Sequence, residues 1–468
     1  MSCVTLSILI KNNTEATIKR DSNMIKNKLV RLISLATISS LIALNAGADN
    51  LINSIKDDYN DRLGDLFADF HANPELSTGE FRTAKKLASL LRESGFEVTE
   101  AVGGTGVVAL LKNGPGPLVM MRADMDGLPL EEKSGLPYAS KVTQLDPVTN
   151  KVFPVMHACG HDVHITSLVG TAKQMAERLD SWSGTLMLIG QPAEERVLGA
   201  KTMMADNLWQ RFGKPDYALA FHVSAGLPAG TINVQEGAPF AGADTVDIIV
   251  HGVGAHGASP HAGKDPVLLG SQIVVGLQAL VARELPPREP GVVTVGAFHS
   301  GTKHNIISDR AELQLTVRNT NLKTRDTLLS GIERIATNMG RVAGLPEDKL
   351  PEVIILDEST PPTINDDALV RRLKAVWQSA MGEERVTSYS SQGMGAEDFP
   401  FFTTEPAIRS VYFSVGGTDV AEIKAAADGT GPAIPSHHSP LFRVEPEPSV
   451  TSGIEATVLA LMDLMPKN

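Results

Sequence analysis

The sequence predicts a two-domain α/β protein, in which an α/β sheet domain is interrupted by a smaller ferredoxin-like βαββαβ unit. Three observations carry that reading. The chain has 468 residues, whereas one hydrophobic core stops growing at about 250–300. Strand-like and helical stretches alternate over residues 50–242 and again over 360–468, as in a layered α/β sheet. Between them, over 243–359, the order becomes strand, helix, two strands, helix, strand, the split βαβ plan. With 42% hydrophobic and 21% charged residues, the chain is neither collagenous, coiled-coil nor largely disordered.

The first element, residues 1–48, reads as a leader. Lys26, Lys28 and Arg31 precede a mainly apolar run to Leu44, and Ala46-Gly47-Ala48 supplies small residues in the pattern of a signal-peptide cleavage site. Residues 1–23 lack such a pattern, which makes Met24 the candidate initiator. The protein is therefore expected to be exported, periplasmic or secreted. Residues 50–70 have helical periodicity, and Gly79 to Gly95 is an amphipathic helix closed by glycine. Strands are expected at Val107–Leu111, Leu118–Arg122, Thr185–Ile189 and Tyr217–His222, with helices at Asp162–Leu179 and Leu198–Trp209. In the inserted unit, Thr245–His251, Val292–Phe298, Ala311–Arg318 and Glu352–Leu356 read as strands, and Pro266–Glu284 and Lys323–Gly344 as helices. After Pro361-Pro362 the alternation resumes and runs to Leu464.

Charge narrows the partners. There are 42 basic and 54 acidic residues, net −12, and loss of residues 1–48 leaves 36 and 52. Nucleic-acid binding through a general positive field is excluded. No apolar run after the leader reaches the roughly 18–20 residues of a spanning helix, so no membrane association is expected once it is removed. The two cysteines are Cys3 and Cys159. Cleavage would leave Cys159 alone in an oxidising compartment, where cysteines normally pair. A bound metal would protect it.

Its neighbours supply one. His157-Ala158-Cys159-Gly160-His161-Asp162 combines imidazole and thiolate, which suit zinc-like ions, with a carboxylate able to orient a ring. Alone, such a run could equally build a structural metal knot. Glu194-Glu195 follows a strand; adjacent glutamates are commonly a solvated pair, but the carboxyl edge of a sheet is where α/β sites form. There, one carboxylate can bind metal while its neighbour takes a proton from water. His222 ends an apolar strand, where a lone histidine is commonly a satisfied core residue. Ser436-His437-His438-Ser439-Pro440 offers further imidazoles near the C-terminus.

Several strings combine into a resemblance. They are Arg122-Ala123-Asp124-Met125-Asp126-Gly127-Leu128-Pro129, MHACGHD at Met156–Asp162, QPAEE at Gln191–Glu195, GAEDF at Gly395–Phe399, HSP at His438–Pro440 and HANPELS at His71–Ser77. Over roughly residues 55–465 the chain resembles the amidohydrolase branch of the dinuclear metallo-aminoacylase and carboxypeptidase superfamily, which includes hippurate hydrolases and plant auxin-conjugate hydrolases. The resemblance implies two divalent metal ions (Zn, Mn, Co or Ni) held by Cys159, His161, Glu195, His222 and His438, with Cys159 bridging. It also implies Glu194 as general base, Asp124 behind the ligands orienting an imidazole, and His256 of the inserted domain stabilising the tetrahedral oxygen, often across a homodimer. Asn305 and Arg318 would hold a substrate carboxylate, although Arg318 could simply cap its strand. The usual Asn-Val-Ile-Pro is here Asn305-Ile306-Ile307-Ser308. His157 and His164 match the family strings as structural residues.

The implied domains are a catalytic metal-binding domain, 50–242 with 360–468, and an inserted dimerisation and lid domain, 243–359. The implied reaction is metal-dependent hydrolysis of the amide bond of N-acyl amino acids or similar small amides. A dipeptidase or carboxypeptidase-type exopeptidase on the same scaffold is the alternative, and a non-catalytic exported binding protein would have no need of Glu194. No G-x-S-x-G elbow is present for a serine nucleophile.

Overall fold

A computed structural model describes residues 50–390 and 393–467; the leader expected over 1–48 lies outside the described residues. The two main sheets are built from β1 (Glu97–Val102), β2 (Gly106–Asn113), β3 (Leu118–Asp124), β4 (Gly184–Gln191), β5 (Tyr217–Pro228), β6 (Ile232–Asn233), β7 (Gly242–His251), β8 (Gly291–Ser300), β9 (Arg310–Asn319), β10 (Glu352–Ile355), β11 (Val386–Thr387) and β12 (Arg409–Thr418). The larger sheet has the order β1-β2-β4-β3-β5-β12-β6-β11. Its four central strands, β4, β3, β5 and β12, are parallel. Both faces of β3 are covered, which its nearly unbroken apolar run Leu118–Met121 requires.

Helices α1 (Gly64–Ala72) and α2 (Phe81–Glu93) come before the sheet. Helix α3 (His161–Ala176) is buried almost all round, between the sheet and the C-terminal helix. Its mixed Val, Ile, Leu, Gly and Thr composition leaves no polar stripe to face water. The opposite face carries a core of Met203, Leu208, Trp209, Phe399, Phe402 and Tyr412. The single helix expected at Leu198–Trp209 is two pieces, Gly199–Ala205 and Leu208–Phe212, because Asn207 between them adopts a left-handed conformation (φ 59°). The strand expected to end at His222 continues to Pro228, and a hairpin, Thr143–Leu145 with Val152–Pro154, has no counterpart among the expected elements.

The second sheet has the order β8-β9-β7-β10 and is antiparallel throughout, the arrangement of a split βαβ unit. Helices α4 (Pro266–Ala279) and α5 (Leu322–Val342) close one face over Val246, Ile248, Leu269, Ile273, Leu277, Leu313, Leu315 and Ile332. Asp265 caps α4 by accepting from the N–H groups of Val267 and Leu268. No apolar run of membrane-spanning length is expected from the sequence, yet the 19-residue helix Pro266–Glu284 is long and apolar enough by length and composition, with mean hydropathy 1.4 over an 18-residue stretch. It packs one side onto this sheet and leaves Val267, Leu268, Val275 and Val281 exposed. Helices α6 (Asp367–Met381) and α7 (Pro446–Leu464) complete the layer beside α3.

Candidate metal centre

The carboxyl ends of the parallel strands converge, with Asp124 paired to Gln191 in register and His222 opposite Ser414. Helix α3 starts at this edge, so His161, its first residue, points into the same space. Gly160 makes the approach possible. Its φ is +85°, and a Cβ there would lie 2.3 Å from Val223 Cγ1. Glu194–Arg196 forms one tight turn directly after β4, and His438 arrives from the C-terminal loop, its N–H donating to the Ala158 carbonyl at 2.9 Å.

The donor atoms fall into groups each within 4.8 Å, among them Cys159 with His161 and His222, Cys159 with Glu195 and His438, and His161 with Glu194 and Glu195. All five expected ligands and the expected base are thus brought together, and Cys159 belongs to two groups. Cys159 Sγ lies 3.3 Å from His222 Nε2. His438 Nε2 lies 3.5 Å from Glu195 Oε2, and His161 Nε2 lies 3.9 Å from Glu194 and 4.0 Å from Glu195. Ring orientation is set from behind. His161 Nδ1–H donates to the Asp126 carbonyl at 2.9 Å and His222 Nδ1–H to the Val223 carbonyl at 2.6 Å, leaving both Nε2 lone pairs facing the cluster.

Two buried atoms there, His161 Nε2 and Glu195 Oε1, have no hydrogen-bond partner among the described residues. The cluster is also short of positive charge. Burial pushes the Glu195 carboxyl up to about 7, against the pull of His161. Burial and the Glu397 carboxylate push Glu194 well above the usual range. Burial and the nearby Glu195 raise the Cys159 thiol. Burial alone would lower His161, yet Asp124 and Asp126 lift it to about 10. His222 runs the other way, lowered by burial and by His164. Unpartnered lone pairs, crowded acids and a mixed sulfur, nitrogen and oxygen donor set fit divalent cations.

Asp124 departs from expectation. Its carboxylate bonds Arg122 and the ring of His164, each at 2.5 Å, rather than an imidazole of the five. His164 Nε2 accepts from the Val223 N–H at 2.9 Å, so His164 has no lone pair to offer, as a structural residue should. The orienting residue is Asp126, which the sequence does not single out although it stands in the same string. Besides holding His161 through its carbonyl, its carboxylate accepts from the N–H groups of Glu194 and Glu195 and from the Ser77 hydroxyl. Asp126 lies two residues past Asp124, beyond the end of β3, so strand alternation alone does not separate the two.

The cluster forms one end of a cavity of about 800 Å³ that also presents Arg318, Phe240, Tyr389 and His437. Arg318 reaches the Met394 carbonyl at 3.4 Å. His437 Nε2 accepts from the Ala225 N–H, while its Nδ1 has no hydrogen-bond partner among the described residues. His256 and Asn305 do not line the cavity. They sit together at a short two-stranded ladder that pairs Ala255–His256 with Ile306–Ile307, far apart in the chain, where His256 is exposed.

Residues 120–429 match the model of peptidase family M20/M25/M40. The chain belongs to that family. As an M20/M25/M40 hydrolase it is 38% identical over 336 residues to a hippurate hydrolase of Campylobacter jejuni, covering 71% of this chain and 82% of the relative. It is 34% identical over 374 residues to thermostable carboxypeptidase 2 of Saccharolobus solfataricus, covering 78% and 89%. Among solved structures, the YxeP protein of Bacillus subtilis, a dinuclear metal-binding peptidase of the M20 family, superposes with a TM-score of 0.70 at 28% identity, covering 87% of this chain and 99% of that one.

Proposed function

We propose that this M20/M25/M40 hydrolase cleaves the amide bond of N-acyl amino acids, with Cys159, His161, Glu195, His222 and His438 holding two divalent cations. The observation that carries the reading is the convergence of those donors on Glu194 at the end of a cavity that also presents Arg318. Bound there, the cations would supply Lewis acidity and make water easier to ionise. Glu194 takes the proton of the attacking water and delivers it to the departing amine. Arg318 offers two donors to the two oxygens of a free α-carboxylate. The Asp126 carboxylate fixes the backbone that carries Glu194, so the base is placed before substrate arrives.

The relatives support two substrate classes. Hippurate is an acyl amino acid, and a carboxypeptidase takes a peptide C-terminus; a carboxylate held by Arg318 serves either. The re-metallated enzyme should hydrolyse benzoyl-glycine and acetyl-amino acids faster than dipeptides. A reversed preference would select the exopeptidase reading. Glu194→Gln should keep its metal and lose at least about a hundredfold in kcat. Full turnover with metal bound would remove Glu194 from its role.

A homodimer is part of the proposal. His256 lies off the cavity of its own chain, and the exposed apolar side of α4 is suited to a second copy. Export rests on residues 24–48. The mature N-terminus should fall near Asp49, and purified protein beginning at Met24 would refute it.

A further inference from the structure

We propose that the hairpin Thr143–Pro154 is a clamp that positions the Glu194–Glu195 pair through an ion pair between Asp146 and Arg196. The inference rests on the reading of Glu195 as a metal ligand and adds positioning residues to it. The turn that carries both glutamates is flanked by two non-glycine residues in left-handed backbone, Ala193 (φ 49°) and Val197 (φ 53°). For β-branched valine that conformation is an outlier, and it persists only where surrounding contacts over-determine it.

Those contacts come from both sides. On the entry side, the Ala193 N–H donates to Glu80 Oε1 at 2.8 Å, while Glu80, fully buried, also accepts from the Thr105 hydroxyl at 2.6 Å. Beneath the turn lies the Asp126 carboxylate, holding the two glutamate N–H groups. On the exit side, Arg196 donates to Asp146 Oδ2 at 2.7 Å, and the Asp146 side chain is only 3% exposed. Asp146 is itself fixed, accepting from the Val148 N–H at 2.9 Å and the Thr149 hydroxyl at 2.7 Å in the hairpin turn. The hairpin is tied back by Gln144, which accepts from the Leu76 N–H and donates to the Gly79 carbonyl. Leu76 to Glu80, the hairpin, Arg196 and Ala193 thus form a closed circuit around the two glutamates. Arg196 touches no reacting atom in this arrangement; it is a positioning residue, as is Asp146.

The test is cobalt titration of the metal-free protein, followed by the absorption of the thiolate-bound ion, for wild type, Asp146→Asn, Arg196→Met, the double variant and Arg196→Lys. One of the two ions should bind about tenfold more weakly in each of the two neutralising variants. The double variant should be no weaker than either single one, because all three break the same pair. Arg196→Lys, which keeps the charge, should recover part of the loss. Isotherms that coincide with wild type, or losses that add in the double variant, would overturn the clamp. Should Asp146→Asn fail to fold, Arg196→Met against Arg196→Lys decides alone. A wild type that takes up no cobalt would instead overturn the metal reading, and the clamp with it.

Discussion

A guanidinium without exposed surface stands directly behind the candidate metal centre. Arg122 donates to Asp124, Glu397, Asp398 and the side-chain oxygen of Gln191, and Tyr412 donates its hydroxyl to Glu397 at 2.6 Å. Three carboxylates around one cation is an excess of negative charge, and burial with Glu397 pushes Asp398 well above the usual carboxylate range. Removing the cation strands that charge in the core, which costs about 3–5 kcal/mol. Arg122→Leu should lose that much stability in urea melts, and Arg122→Lys should regain only part, since one ammonium cannot fork to several acceptors. His71 gives a pH-dependent counterpart. Burial would lower it, but hydrogen bonds to Asp162 at 2.6 Å and Glu132 at 3.0 Å raise it to about 9. A raised pKa means the stabilisation is complete below about 6.5, the unfolded value, and is lost as pH climbs through 9. The stability gap between wild type and His71→Gln should therefore shrink by on the order of 3 kcal/mol from pH 6 to pH 10. A gap constant across that range would contradict the assignment.

Elements decide how well each side chain is aimed, and helix α3 is the sharpest case. Gly160→Ala would force a Cβ into Val223 and an L residue into φ +85°, at a cost of about 1–3 kcal/mol. The variant should melt earlier and retain less metal, measured on the same dialysed sample, because His161 is the very next residue. The strands and helices that present the donors are legible in the sequence because their hydrophobic runs are long and their ligands sit in compact local strings. Cys159 and His161 are one helix start, and Glu194 and Glu195 one strand end. What stays hidden depends on which way short segments face. Asp124 and Asp126 have the same chemistry and share a string, so only the path of the chain past the end of β3 tells which of them backs the ligand ring. Asn207 gives no periodic signal for breaking a helix, since asparagine is tolerated both inside helices and in left-handed turns. The Thr143–Pro154 hairpin has exposed apolar residues such as Val148 and Val152 and no alternating buried face to mark it.

At the scale of the molecule, the position of His256 is not readable from the sequence, because it hangs on a two-residue pairing whose place depends on what packs around it. Under the proposed dimer, glutamates at exposed apolar positions of α4 (Leu268→Glu with Val275→Glu) should yield a monomer in light scattering that binds metal but turns over poorly. If His256 acts across the dimer, mixing inactive His256→Ala and Glu194→Gln chains should restore about a quarter of wild-type activity, as random pairing leaves one intact site in half of the dimers. No recovery on mixing would place His256 with its own chain. The wiring of Arg122 has one more consequence. It joins a strand made early in synthesis to Glu397 and Asp398, which the ribosome adds only after the whole inserted unit, and His438 comes later still. A nascent chain therefore carries its thiol and glutamates half-matched until translation is nearly over, and such distant pairings are slow to form. Termination between the inserted unit and Glu397 would release a polypeptide in which Arg122 lacks two of its buried partners and the thiol and glutamates lack His438, a substrate for quality-control proteases rather than a weakened enzyme.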